Sequence, residues 1–383
     1  MRMFLLLFLF LISICAAYDL RRWQLQGRRM TLRIIVLLLL DVWPLLTTLL
    51  GLLIDNTPST MHLFMWSTWG WLLYIATRLI LLTASALGVR LLGIIATAAV
   101  AGLFLWGAFV GRKALRVTEV EICSDRLPAA FDGLRIAHIS DLHLGTLVDL
   151  EGEVGALIEQ INAAKPNLVC FTGDLVSIRY SELDSAAMQL LQQIEAPVYS
   201  VLGNHDVGPY IRKQRRLSPE ESTRQLVARQ KAMGWQVIEN STNYLVRGSD
   251  SISLTGLAYD PTHWKQRHKA DLPFMGGKEA YSGVDNRLYN LTLVHVPQLW
   301  KEVLARGFGD LTLSGHTHAM QLKIPLGEGR SWSPAAWIYE HWSGRYDLNN
   351  HTLYVNDGIG YVGYPMRIGA APELTLITLK SCK

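Results

Sequence analysis

The first 110 residues contain four apolar stretches, roughly 3–18, 32–54, 61–87 and 91–110. Three of them reach the about 20 residues that a helix needs to cross a hydrocarbon core. Residues 1–116 therefore read as an all-α transmembrane module of about four helices. The first stretch ends near Cys15-Ala16-Ala17 in the manner of a signal sequence, but only Arg2 precedes it, so it reads as a retained helix. From residue 117 onward the apolar runs shorten and are punctuated by Gly, Asp and His, which marks 117–383 as a second domain.

Charge follows the same division. Residues 1–116 hold eleven Lys/Arg and three acids, a balance of +8, while 117–383 hold 25 against 29, a balance of −4. The basic excess thus belongs to the membrane part, and a nucleic-acid partner is not expected for the second domain. Arg21, Arg22, Arg28 and Arg29 lie between the first two apolar stretches and Arg33 at the start of the second, whereas the loop 55–60 has no cation. The positive-inside rule then makes this an integral multi-pass plasma (inner) membrane protein whose second domain emerges on the extracytoplasmic face. Arg112, Lys113 and Arg116, after the last stretch, count the other way.

Asp41 and Arg78 fall inside expected spans at similar depth. An isolated intramembrane charge is costly, so the two are expected to pair, with a transport or sensing site as the rival reading. The four cysteines, Cys15, Cys123, Cys170 and Cys382, form neither a CxxC pair nor a regular framework. A disulfide scaffold is not expected, and Cys170 sits in an apolar run that reads as a core strand.

Within the second domain, Leu134-Arg-Ile-Ala-His-Ile-Ser reads as a strand ending in Asp141-Leu-His143. Leu168-Val-Cys-Phe-Thr ends in Gly173-Asp174, and Val198-Tyr-Ser-Val-Leu ends in Gly203-Asn204-His205-Asp206. Helical spacing separates these runs, at 154–164 and about 181–194. Two later runs end in His295-Val-Pro297 and in Gly315-His316-Thr317-His318. Strand, polar tip, helix, strand is the rhythm of an α/β sheet, in which ligands gather at the carboxyl ends of strands. Carboxylate, amide oxygen and imidazole, with no thiolate, suit Mn, Fe or Zn ions. Each piece alone has a bland explanation, such as a cap or a satisfied core histidine. Five in order, all at strand ends, do not.

These five blocks resemble the signature of the calcineurin-like metallophosphoesterases, and the resemblance covers about 134–379. It implies a four-layer α/β/β/α sandwich holding two divalent metal ions about 3.5–4 Å apart. It implies further that Asp141, His143 and His318 hold the first ion, and that Asn204, His295 and His316 hold the second. Asp174 bridges both, and His205 protonates the leaving oxygen or stabilises the transferring phosphoryl group. Asp206 is expected to orient His205 by accepting its other N–H, with a turn residue that caps the loop as the alternative. The implied chemistry is attack on phosphorus by a two-metal-activated hydroxide. The sequence departs from the pattern at Val294, where the fourth block often carries glycine.

Three segments outside these blocks are candidates for substrate choice. They are 208–233, which opens with the basic stretch 211–217; the Gly/Pro-punctuated 258–287 with Trp264, Lys265, Arg267, His268 and Lys269; and the aromatic segment from Arg330 to Arg345, with Tyr346 next to it. Arg367 is a candidate phosphate contact. The expected substrate is a phosphomono- or diester at the lipid bilayer, with a lipid-linked one, such as a UDP-diacylglucosamine-type pyrophosphate, as a specific alternative. The rival class is a non-catalytic scaffold or sensor of the same fold. A scaffold has no need of His205 or of a full ligand set, so the enzyme reading is preferred.

Overall fold

In a computed structural model of the chain, the described residues are 13–18, 20, 21, 24, 31–208, 210, 211, 217–260, 275–327 and 329–382. The chain divides into two compact units, Met1–Trp106 and Gly107–Lys383. The charge composition changes ten residues later, because Arg112 and Lys113 belong to the second unit, where they meet Glu153 and Asp149.

The first unit contains α1 (Thr31–Asp41), α2 (Trp43–Leu53), α3 (Pro58–Ala86) and most of α4 (Arg90–Phe109). Among the described residues two helices are long and apolar enough to cross a membrane, Pro58–Ala86 and Arg90–Lys113, where about four were expected. The expected span 32–54 is instead two helices of eleven residues, each about 16 Å long at helical rise. Pro44 explains the break. It has no N–H to give the carbonyl of Leu40, four residues back. The Trp71 indole donates to that carbonyl instead, at 3.1 Å. Most of the first apolar stretch lies outside the described residues, as do Arg22, Arg28 and Arg29. The expected ion pair forms: Arg78 Nη1 lies 2.5 Å from Asp41 Oδ1. Tyr74 donates its hydroxyl to the same oxygen, and Arg78 Nη2 reaches the carbonyl of Cys15.

The second unit opens with β1 (Arg116–Ser124) and β2 (Arg135–Ile139), followed by α5 (Leu150–Ala164) and β3 (Leu168–Phe171). Then come α6 (Ser185–Leu191), β4 (Val198–Ser200), α7 (Pro219–Ala232), β5 (Gln236–Val237), β6 (Ser241–Arg247) and β7 (Asp250–Leu257). After α8 (Met275–Ala280) follow β8 (Asn290–Val294), α9 (Trp300–Ala305) and β9 (Leu311–Ser314). A two-stranded ribbon, β10 (Ile324–Gly327) and β11 (Arg330–Trp332), precedes β12 (Gly344–Leu348), β13 (His351–Val355) and β14 (Glu373–Ser381).

Two six-stranded sheets result, in the orders β1-β14-β2-β3-β4-β5 and β12-β13-β9-β8-β7-β6. Ile136, Leu168 and Cys170 of one sheet share a buried core with Ile252, Leu254, Leu291 and Leu313 of the other. Cys170 is the core-strand residue its apolar neighbours implied. Outside the sheets, α5 buries Val154, Leu157, Ile158 and Ile161 at its helical period. On the other side Ala280, Tyr281, Val303 and Phe308 cover Leu257 and Val294. Helix, sheet, sheet, helix is the expected four-layer α/β sandwich. Strands β2, β3 and β4 are parallel, as are β7, β8 and β9, so each sheet gathers its carboxyl ends on one edge.

One expectation is overturned. Cys123 and Cys382 form a disulfide across 259 residues of sequence. β1 pairs with β14 so that Cys123 stands opposite Lys380. This brings the two cysteine Cα atoms to 5.7 Å, within bridging range. Cysteine spacing carries no trace of a bond made by pairing the first strand of a domain with its last.

Candidate metal centre

Every metal-ligand candidate follows the end of a strand: Asp141 and His143 after β2, Asp174 after β3, Asn204 after β4, His295 after β8, and His316 and His318 after β9. Asp141, His143, Asp174, His316 and His318 all take positive φ, between 49° and 76°. A non-glycine residue adopts that conformation at a cost, and such residues cluster where side chains must be aimed. Gly173 turns at φ 95°, and a Cβ there would lie 2.6 Å from the amide nitrogen of Gly203. The β3 and β4 tips approach this closely only because the position has no side chain.

The side chains converge in two groups that share Asp174. In the first, His318 Nε2 lies 3.2 Å from Asp141 Oδ1 and 3.1 Å from His143 Nε2. In the second, His295 Nε2 lies 3.1 Å from Asn204 Oδ1 and 3.2 Å from His316 Nδ1. Asp174 Oδ2 stands between them, 3.6 Å from His143 Nε2 and 3.1 Å from His295 Nε2. Asp141, His143, Asp174 and His295 are essentially without solvent contact.

This donor set fits divalent cations. Ring nitrogens, carboxylate oxygens and an amide oxygen face one another across the two groups. Facing lone pairs in a buried space are stabilised by a shared positive charge. The Nδ1–H of His295 donates to the carbonyl of Thr172 at 2.7 Å, which directs Nε2 inward. The proton equilibria show the same demand for charge. Burial opposes a cation at His295, yet the Asp174 carboxylate lifts its pKa to about 9. Burial likewise opposes the Asp174 anion, and the His295 and His205 rings hold its carboxyl below the ordinary range. Burial and the His295 cation push His316 down to about 3.

His205 is half-buried beside the shared carboxylate, edge-on to His143 and stacked on Tyr210 with ring centroids 4.3 Å apart. Its partner is not the expected one. His205 Nδ1 donates to the carbonyl of Ser177 at 2.6 Å. Asp206 is instead buried and accepts four backbone N–H groups, those of Asp174, Leu175, Val176 and Gly203, at 2.7–3.1 Å. Burial and the Asp174 charge push its pKa up to about 7. The two N–H donors on each oxygen oppose that rise by favouring the anion, and the carboxylate ties the β3 tip to the β4 tip.

Glu182 does for His205 what Asp206 was expected to do, at one remove. Its buried carboxylate accepts from the N–H groups of Gly145, Ser177, Ile178 and Arg179 at 2.5–3.1 Å. That fixes the loop whose Ser177 carbonyl holds His205. A Cβ at Gly145 would lie 2.3 Å from Glu182 Oε2, so the approach requires glycine. The only signal in the sequence was an acid in a polar stretch, which reads as an ordinary helix cap.

Arg367 is not a phosphate contact. It is fully buried, with its donors spent on the carbonyls of Asp357, Gly360 and Ala370 and on His318 Nδ1. Beside the metal residues opens a cleft of about 280 Å³, lined by His205, Tyr210, Gln321, Tyr339, Val362 and Tyr364 among others. Tyr339 comes from the aromatic segment singled out as a candidate for substrate choice. Residues 212–216 and the stretch from Trp264 to Lys269 lie outside the described residues.

Residues 134–320 match the family model described as calcineurin-like phosphoesterase. The uncharacterized metallophosphoesterase YkuE of Bacillus subtilis is 31% identical over 70% of this chain and 86% of its own. A Danio rerio protein described as a transmembrane protein with metallophosphoesterase domain is 30% identical over 73% of this chain and 60% of its own. The UDP-2,3-diacylglucosamine pyrophosphatase LpxG of Chlamydia trachomatis is 24% identical over 58% of this chain and 74% of its own.

Proposed function

The chain belongs to the calcineurin-like metallophosphoesterase family, and on that premise we propose that it hydrolyses a phosphomono- or diester at a membrane surface. The observation that carries this reading is Asp174 Oδ2 standing within 3.6 Å of a ring nitrogen from each of two ligand groups, with His205 beside it. Asp141, His143 and His318 would hold one divalent ion, Asn204, His295 and His316 the other, and Asp174 both. Bound there, two such ions supply an activated water as nucleophile and offset charge on the phosphoryl oxygens.

The chain's own residues set the geometry. Asp206 holds the Asp174 and Gly203 amides in place, which keeps the shared carboxylate between the two groups. The carbonyl of Ser177 accepts the hydrogen bond from His205 Nδ1–H, leaving Nε2 as the nitrogen that protonates the leaving oxygen. Tyr210, stacked on the ring, limits its rotation.

The Chlamydia relative makes a lipid-linked pyrophosphate a specific substrate to try. An extracytoplasmic catalytic unit is supported by the Cys123–Cys382 bridge, since such bonds persist in oxidising compartments. The three cations that argued otherwise all have acid partners in the catalytic unit: Arg112 with Glu153, Lys113 with Asp149, Arg116 with Asp357. Their presence thus has a structural reason independent of topology. Protease digestion of spheroplasts that spared the catalytic unit would rule out that placement.

The function is tested by assaying the full chain, purified in detergent and loaded with Mn²⁺, against bis-p-nitrophenyl phosphate and p-nitrophenyl phosphate. Turnover of either, lost in Asp174→Ala and in His205→Ala, is the expected result. Two bound metals with no turnover of any phosphoester would overturn it.

A further inference from the structure

An apolar strip runs along the rim of the cleft. Leu326 is 61% exposed and Trp337 60%, with Ile324 and Ile338 also open to solvent. Isolated exposed apolar residues need no explanation, but these are contiguous. Ile324 stands directly across the β10–β11 ribbon from Trp332, whose ring meets that of Trp337 at 5.3 Å. Ile338 then leads into Tyr339, which lines the cleft. No charged side chain interrupts β10, whose sequence is Ile-Pro-Leu-Gly.

The strip also lies beside the point where the chain leaves its last apolar helix. Residues 107–109 are the final turn of α4, and a Cβ at Gly107 would lie 2.7 Å from the side chains of both Met366 and Ile368. The amide of Arg367 donates to the carbonyl of Gly107. Ile368 in turn bridges Leu322, and its carbonyl accepts from the amide of Lys323, the residue before β10. Gln321, two residues before Lys323, lines the cleft and donates to the carbonyls of Tyr364 and Met366. Helix end, rim and cleft are therefore linked by direct contacts within the second unit. A helix that ends a membrane span ends at the lipid surface, which places that surface beside the strip.

We propose that β10, β11 and the turn through Ile338 dock into the lipid surface at the cleft mouth. The phosphoester is accordingly one carried by an acyl-bearing lipid of that surface. Exposed tryptophan with Leu and Ile beside it is the composition that settles at the headgroup boundary. The cleft then receives a headgroup phosphate without drawing the acyl chains out of the bilayer. The substrate half of the proposal rests on the hydrolase reading above; the docking half does not.

The test uses the full chain in nanodiscs of phosphatidylglycerol and phosphatidylcholine. Leu326→Cys and, as a distant control, Val246→Cys, 67% exposed, are labelled with a nitrobenzoxadiazole dye. Native Cys15 and Cys170 are buried and the other two cysteines are bridged. Doxyl-lipid quenching at 326 with iodide quenching at 246 supports docking. Iodide quenching at both sites overturns it, and shielding from both quenchers at 326 overturns it in favour of a protein cover. In the kinetic arm, Leu326→Asp with Trp337→Asp should lower turnover of a vesicle-borne diacyl phosphodiester about tenfold or more, leaving bis-p-nitrophenyl phosphate turnover unchanged. An equal fall on both substrates assigns the strip a structural role and overturns the proposal. If the unmodified chain turns over neither compound, the hydrolase reading fails, while the quenching result still decides the docking.

Discussion

Asp41 in the membrane unit and Asp206 in the catalytic unit are both carboxylates out of contact with solvent, and they are stabilised by different means. Asp41 meets a formal opposite charge, the Arg78 guanidinium, with the Tyr74 hydroxyl on the same oxygen. Asp206 meets none; four backbone N–H groups surround it. In hydrocarbon every helical amide is already committed within its helix, so only a side chain can answer a buried charge. At the tips of parallel strands the amides are uncommitted, and a carboxylate can collect them. That leaves Asp141 and Asp174 nearby with their lone pairs facing imidazoles, which keeps these acids for cations.

The comparison predicts a graded series in the catalytic unit. Asp174→Ala removes the oxygen shared by both ligand groups, and elemental analysis should show bound Mn²⁺ falling from two per chain, with turnover abolished. His205→Ala should keep both ions and lower kcat by roughly 10²–10⁴, the usual share of a general acid. Loss of metal in His205→Ala would reassign that residue as a ligand.

Glu182→Gln comes next. Its side chain keeps the shape but turns an NH₂ toward backbone donors, so the Ser177 carbonyl loses its fixed position. The expected loss in kcat is about 10–100-fold, the scale for groups that orient others, with metal content and KM unchanged. Because a misoriented general acid matters most when the leaving group is poor, the loss should be larger for an alkyl phosphodiester than for a p-nitrophenyl ester. Equal losses on the two leaving groups would make Glu182 a purely structural residue.

How much of this was legible follows from where each feature is encoded. The gathering of the Asp, Asn and His candidates was readable because parallel strands deliver them in order at run ends, each marked by polar residues after an apolar run. Asp41 and Arg78 were readable because a charge in an apolar stretch has few partners available. Glu182 and the Ser177 carbonyl were not, since backbone groups take part whatever the residue type. Asp206 was assigned to the wrong partner for the same reason: the amides it collects leave no mark in sequence. The Cys123–Cys382 bridge depended on β1–β14 pairing, and the break at Val42 on Pro44 finding Trp71 to satisfy the Leu40 carbonyl.

The smallest effect on catalysis is expected in the membrane unit. Arg78→Leu leaves the Asp41 carboxylate buried without its countercharge, and breaking a buried pair from one side typically costs about 3–5 kcal/mol. Removing both charges, Asp41→Leu with Arg78→Leu, deletes the desolvation cost along with the attraction, and such replacements are often neutral. A double-mutant cycle on thermal unfolding in detergent should therefore show the double variant more stable than Arg78→Leu alone. Turnover of bis-p-nitrophenyl phosphate should stay at the unmodified level in all three variants, because Asp206 and Glu182 are stabilised within their own unit. Were turnover to fall in Arg78→Leu and recover in the double variant, the ion pair would be coupled to catalysis, and the sensing role considered for Asp41 and Arg78 would replace the structural one.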